Sequence, residues 1–168
     1  EHSPTMSPDG ARLAFISSRT GHEEVWVGAI DAAAPRAITA IGGAGVGSPR
    51  WSPDGRWIAF DATSAGDGNV YVIPADGGAP RQVTRTTSHD VIPAWSPDGR
   101  WLYFRSHRNA AARLYRVPVT STGPAPDVEP ELVADEEIWE AQPGASALAF
   151  VRRLEARGLF VRPADRGP

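Results

Sequence analysis

Trp95-Ser96-Pro97-Asp98-Gly99-Arg100-Trp101 decides the fold, because the chain uses it more than once. The same pattern stands at Trp51 to Trp57, and a variant runs from Met6 to Arg12. Each copy sets Ser-Pro-Asp-Gly between a segment ending in a large side chain and an apolar run such as Ile58-Ala59-Phe60 or Leu102-Tyr103-Phe104. Pro presets φ for a turn, Asp accepts from nearby backbone N–H groups, and Gly tolerates φ > 0. The pattern therefore reads as strand, tight turn, strand.

Outward from the turn, the register repeats. Ser7, Ser52 and Ser96 lie 45 and 44 residues apart, and eight residues after each comes an aromatic: Phe15, Phe60, Phe104. Eleven residues further stands another: Trp26, Tyr71, Tyr115. A fourth, eroded copy appears if Gln142-Pro143-Gly144-Ala145 is laid on the turn, for Phe150 then falls eight residues on and Phe160 ten residues after it. In the second unit, strands are expected over Ser48 to Trp51, Arg56 to Ala62, Asn69 to Pro74 and Arg81 to Thr84. The short links between them, rich in Gly, Asp, Asn, Ser and Pro, make neighbouring strands antiparallel.

Trp57-Ile58-Ala59-Phe60 does not alternate apolar with polar, so this strand must be covered on both faces. Stacking four-stranded antiparallel sheets face to face around an axis supplies that cover, which makes the chain all-β and a β-propeller. The expected organisation is one propeller segment over 1–168, with blades at about 1–45, 46–88 and 89–134 and a degenerate, incomplete one at 135–168. Propellers close with about four to eight blades. A partial propeller is expected: an open arc, an arc completed by a second copy, or a distorted four-bladed ring. Open blade faces and strand edges invite pairing, so a homo-oligomer, a dimer above all, is the leading expectation.

Composition narrows the function classes. A chain 41% hydrophobic and 22% charged is ordinary for a globular domain, and its 17 Gly and 16 Pro fall at the periodic turns. A net charge of −3 gives no basic stripe for nucleic acid. No apolar run approaches a membrane span, and Glu1-His2-Ser3-Pro4 carries no signal-peptide pattern. Zero cysteines removes disulfides and thiol chemistry, and all 17 basic residues are Arg, which removes Schiff-base chemistry. No Gly-x-Ser-x-Gly, His-Glu-x-x-His or phosphate-cradling loop is present. The chain starts without Met and enters a repeat at once, which suggests a processed product or a piece of a longer polypeptide.

Pro49 to Phe60, Val70 to Val72 and Gly77 to Thr84 together resemble the TolB-type, WD40-like (Pro-Asp) β-propeller repeat. The resemblance is strong in three units and weak in the fourth. It implies fold more sharply than function, since such repeats occur in periplasmic TolB, in the propellers of prolyl-oligopeptidase-like and tricorn-like serine peptidases, and in bacterial regulators and kinases. The linker Thr39 to Pro49, with Gly42-Gly43-Ala44-Gly45, is most similar to the last group. The expected function is a non-catalytic module for protein or peptide binding or assembly, part of a larger bacterial regulator or kinase. The alternatives are a substrate-gating propeller of a peptidase and a TolB-like periplasmic scaffold. Periplasm and cytoplasm both fit, and no cofactor is expected unless a divalent cation sits at the channel mouth.

Candidate residues follow from the register. Asp9, Asp54 and Asp98 occupy one turn position and read as structural, since they belong to different blades. Just before the innermost strand of each blade come Glu1 and His2, His89 and Asp90, and Glu136 and Glu137, gathered at one channel mouth. Such carboxylates and imidazoles could hold a divalent cation or a positively charged peptide end, or simply be solvated loop residues. Trp139 replaces the Pro of Pro4, Pro49 and Pro93, and is an interface candidate. Arg19 and Arg108 stand at matching offsets and are expected to pair with carboxylates of a neighbouring blade. The segment Thr120 to Pro130 is expected as a long, extended, Pro-rich loop.

Overall fold

The computed structural model describes residues 1–31, 34–43, 45–64, 66–108, 111–120, 122–125, 128–144, 147–152 and 158–163, which form strands and turns and no helix. Among the described residues no helix is long and apolar enough to cross a membrane. Ala145 of the eroded fourth turn and Ala44 of the Gly-rich linker lie outside the described residues.

The strands make four antiparallel sheets. Blade I comprises β1 (His2–Met6), β2 (Arg12–Ser17), β3 (Glu24–Ala29) and β4 (Arg36–Ala37) in that spatial order. Blade II repeats it with β5 (Gly45–Trp51), β6 (Trp57–Ser64), β7 (Asp67–Pro74) and β8 (Arg81–Gln82). Blade III has β9 (Val91–Trp95), β10 (Trp101–Ser106) and β11 (Arg113–Thr120), whose far edge is shared by β12 (Gly123–Pro124) and β13 (Glu131–Ala134). Blade IV is three-stranded among the described residues: β14 (Ile138–Pro143), β15 (Ala147–Arg152) and β16 (Gly158–Pro163). In the Thr120 to Pro130 segment Ser121, Pro126 and Asp127 lie outside the described residues, and part of the remainder is strand. Gly123–Pro124 folds back on β11, with Thr120 opposite Gly123 and the Thr120 hydroxyl donating to the Gly123 carbonyl.

Each turn is built the same way. In the third, the Ser96 hydroxyl donates to Asp98 Oδ1 at 2.6 Å and accepts from the Trp101 N–H at 2.9 Å, while the same Asp98 oxygen takes the Arg100 N–H. Gly99 sits at φ 70°, where a side chain would be strained. Ser52 with Asp54 and Ser7 with Asp9 repeat the hydroxyl-to-carboxylate bond at 2.6 and 2.5 Å. Ser96 donates first among the causes that hold the Asp98 carboxyl down at about 2, followed by the Arg100 N–H and guanidinium.

Packing follows from one cross-strand pair per blade. Phe15 faces Trp26, Phe60 faces Tyr71 and Phe104 faces Tyr115, and in the backbone register of blade IV residue 150 lies opposite residue 160. In blades II to IV the Phe of this pair looks back at the preceding blade. Phe60 joins Ala14, Ile16, Val25 and Val27 of blade I; Phe104 joins Ala59, Val70 and Val72 of blade II; Phe150 joins Leu114 and Ala134 of blade III. The core is therefore three slabs between successive blades. Phe60 and Phe104 are fully buried, each a contribution of about 1.5–3 kcal/mol from burial alone.

Among the described residues no substantial contact joins blade I to blade IV, so the blades form a partial propeller, an arc. Blade I's backward side carries Leu13 and Phe15, which line a cavity of about 230 Å³ with Glu1, His2 and Pro4. Met6, register-equivalent to Trp51 and Trp95, is 58% exposed there.

Candidate functional site

The innermost strand of every blade breaks register, opposite the repeating Phe in blades I to III and between Val151 and Arg152 in blade IV. In blades I to III two residues, Ser3-Pro4, Ser48-Pro49 and Ile92-Pro93, bulge opposite Phe15, Phe60 and Phe104. In blade IV Trp139 is the extra residue. The bulges place Ser3, Ser48 and Ile92 at φ 55°, 50° and 55°. A β-branched residue there is costly, and such strain persists only where the surroundings hold it. Ile92 is held by Asp61: its N–H donates to Asp61 Oδ1 at 3.0 Å, and the Ser48 hydroxyl bonds the same carboxylate.

Asp61 belongs to a position whose chemistry changes blade by blade: Ile16, Asp61, Arg105 and Val151, each nine residues after the turn's first position. Blades II and III thus carry opposite charges at a place that is apolar in I and IV. Burial pushes the Asp61 carboxyl up, against the pull of the Ile92 N–H, Ser48, His89 and Arg105. Burial likewise pulls the Arg105 guanidinium down, with the Asp61 charge opposing. Arg105 Nη1 donates to the Trp139 carbonyl at 3.2 Å, tying blade III to the blade IV bulge, while its buried Nε has no hydrogen-bond partner.

Around these two lie His89, Asp90, His107 and Glu137. The imidazoles of His89 and His107 meet edge-on, ring centres 5.8 Å apart. His89 can sit where it does because residue 68 is Gly: a Cβ there would stand 2.7 Å from His89 Nδ1. Desolvation, then the charges of Arg105 and His89, lower the His107 pKa, while Glu137 and Asp90 oppose. Asp90 is fully buried, receiving the Thr86 hydroxyl at 3.1 Å and Arg108 Nη2 at 3.0 Å.

The sequence candidates divide into two groups. His89, Asp90 and Glu137 come together around His107. Glu1 and His2 instead engage blade I's own Arg19 and Glu23, His2 Nε2 lying 3.2 Å from Glu23. Glu136 is exposed beside Glu137. Trp139 is 44% exposed on the inner strand of blade IV, next to Glu140, which reaches Arg50 of blade II at 3.6 Å. Asp9, Asp54 and Asp98 stay in their turns, between β1 and β2, β5 and β6, and β9 and β10. No group of three or more His, Asp or Glu among the described residues could hold a metal ion.

Arg19 and Arg108 correct one expectation: both pair inside their own blade, Arg19 with Glu1 and Arg108 with Asp90. Each also lies over its blade's aromatic pair, Arg19 4.7 Å from the Trp26 ring centre and Arg108 4.5 Å from that of Tyr115. Blade II has Val46 where the acid stands and Ser64 where the Arg stands, so both partners are lost together.

The site residues missed from sequence were Asp61, Arg105 and His107. The signal was present in the Ile16, Asp61, Arg105, Val151 column, where a charge replaces a core residue only in the middle blades.

Bulged inner strands, four-stranded blades and face-to-face slabs define a β-propeller segment. The TolB beta propeller domain model matches residues 2–148, and the chain belongs to that family. Among solved structures it is similar to TolB from Acinetobacter baumannii, with TM-score 0.80 and 21% identity over 99% of this chain and 42% of that one. A TolB-type protein from Agrobacterium tumefaciens gives TM-score 0.79 and 22% identity over 100% of this chain and 63% of that one. A puromycin-hydrolyzing peptidase from Mycobacterium tuberculosis gives 0.71 and 18% over 97% and 27%. These likenesses show the fold, and the chain spans less than two thirds of each of these proteins. No curated protein matches the chain.

Proposed function

We propose that the chain is a non-catalytic recognition module that takes a segment of another protein at the mouth of the arc, where blades II, III and IV meet. The supporting observation is that Asp61 and Arg105 stand where blade I carries the buried Ile16, that Asp90 stands where blade II carries the buried Val46, and that the His89–His107 pair meets beside them. Charged groups kept in a costly, desolvated place, beside an exposed Trp, suit recognition of an extended polar chain. In this reading the module serves a larger bacterial regulator or kinase.

Panning a displayed library of random peptides against the 168-residue protein tests the reading. Enriched peptides should bind in solution, and Trp139→Ala and His107→Ala should each weaken binding about tenfold or more, as removal of a central interface side chain does. Failure of any enriched peptide to bind, or binding indifferent to both substitutions, contradicts it. Self-association through the apolar surface at Phe15, Leu13 and Met6 is part of the proposal, and sedimentation showing only monomer would remove that part.

A further inference from the structure

All four histidines of the chain lie at one end of the blades. His2 and His89 stand where β1 and β9 begin, and His22 and His107 lie in the loops that follow β2 and β10. Two of them pair, and that pair is wedged among fixed charges. His107 feels the positive charge of the Arg105 guanidinium and His89 and, against them, the Glu137 and Asp90 carboxylates. His89 packs on Gly68 and faces Asp61. Arg105, whose charge opposes protonation of His107, is also the residue whose Nη1 holds the Trp139 carbonyl and with it the inner strand of blade IV.

We infer that the His89–His107 pair is a proton-operated latch on the mouth, which holds blade IV's inner strand against blade III when the imidazoles are neutral and releases it when they are protonated. The inference rests on the mouth being the recognition site, and names how that site is regulated.

The physical step is short. With both rings neutral, Arg105 carries the single positive charge of the triad, and Asp61 balances it across β9. Protonating either ring sets a second cation beside the half-buried Arg105, His89 being half-buried and His107 exposed at the rim, and protonating both sets a third. Asp90 compensates only in part: its Oδ2 already holds Arg108, and its buried Oδ1, without a hydrogen-bond partner, is the oxygen left over. Glu137 can compensate, but only by drawing His107 away from Arg105 toward the exposed rim. Either response disturbs the Arg105 bond to the blade IV bulge. The lowered His107 pKa has the same sign: the folded state disfavours the imidazolium, so stability is complete above about 6.5 and is lost as pH falls through the folded pKa.

Hydrogen exchange of the free protein tests the latch without any bound peptide, so it stands or falls separately from the recognition reading. Amides of Ile138 to Gln142 should exchange roughly tenfold faster, relative to the intrinsic rate, at pH 5.5 than at pH 7.5. Amides of β2 and β3 should keep their protection. His107→Gln together with His89→Gln should abolish most of the difference. Equal protection of β14 at both pH values, or a pH effect that survives the double substitution, overturns the inference. If the double variant does not fold, the imidazole titrations of the unaltered protein decide: two mutually displaced curves support the latch, and two independent ordinary curves overturn it.

Discussion

The indole N–H of Trp95 donates to the backbone carbonyl of Arg50, 45 residues earlier, at 3.0 Å. Trp51 does the same to the Thr5 carbonyl at 3.1 Å, so the Trp that opens each turn motif is the fastener to the blade before. Met6 and Ala141 lack the donor, and blade IV is tied instead by Arg105 to Trp139. Trp95→Phe should keep the slab filled and lose only this bond. The expected cost is about 1 kcal/mol in denaturant unfolding, and an unchanged midpoint would refute the fastener role.

Asp61 should be the most sensitive polar residue in the chain. Asp61→Ala leaves the strained Ile92 N–H without its acceptor and should cost about 1–3 kcal/mol. Asp61→Asn should cost less, since the amide oxygen still accepts and no charge is buried. The two midpoints, measured at neutral pH, check the order.

Register equivalents should differ by their cover. Phe104→Ala opens the slab between blades II and III, with an expected loss of about 3–5 kcal/mol. Phe15→Ala borders a cavity already and has Arg19 rather than a blade over it, so its loss should be smaller. Equal losses would mean that something covers blade I's backward side in solution.

The turns set an acid limit. With its pKa held at about 2 in the fold against the ordinary 3.8, Asp98 contributes stability that is fully present above pH 3.8 and is lost as pH falls toward 2. The turn is largely solvated, so the slope should be shallow. Asp98→Asn should flatten that slope between pH 4 and about 2 in urea titrations and leave the neutral-pH midpoint little changed.

Much of the blade plan was legible because turns and core faces leave periodic marks. The strands of blade II lie close to their expected places, β5 starting three residues earlier, at Gly45. The site was less legible. His89, Asp90 and Glu137 were marked by their place before an inner strand, but that rule also took in Glu1 and His2, which are spent on Arg19 and Glu23. Asp61 and Arg105 were hidden because they sit inside strands, where a repeat alignment looks for apolar residues. The Arg108–Asp90 pair was placed across blades because an 18-residue separation gives no hint that the two ends of one blade's hairpin meet.

The most direct measurement of the central claim is the response of the His89 and His107 imidazoles and the Trp139 indole in a magnetic-resonance titration with a peptide selected for binding. The account predicts that these three move together and saturate with one affinity, while Asp9, Asp54 and Asp98 and their turns stay still. A peptide that binds at the turns, or that leaves all three rings unmoved, would contradict it.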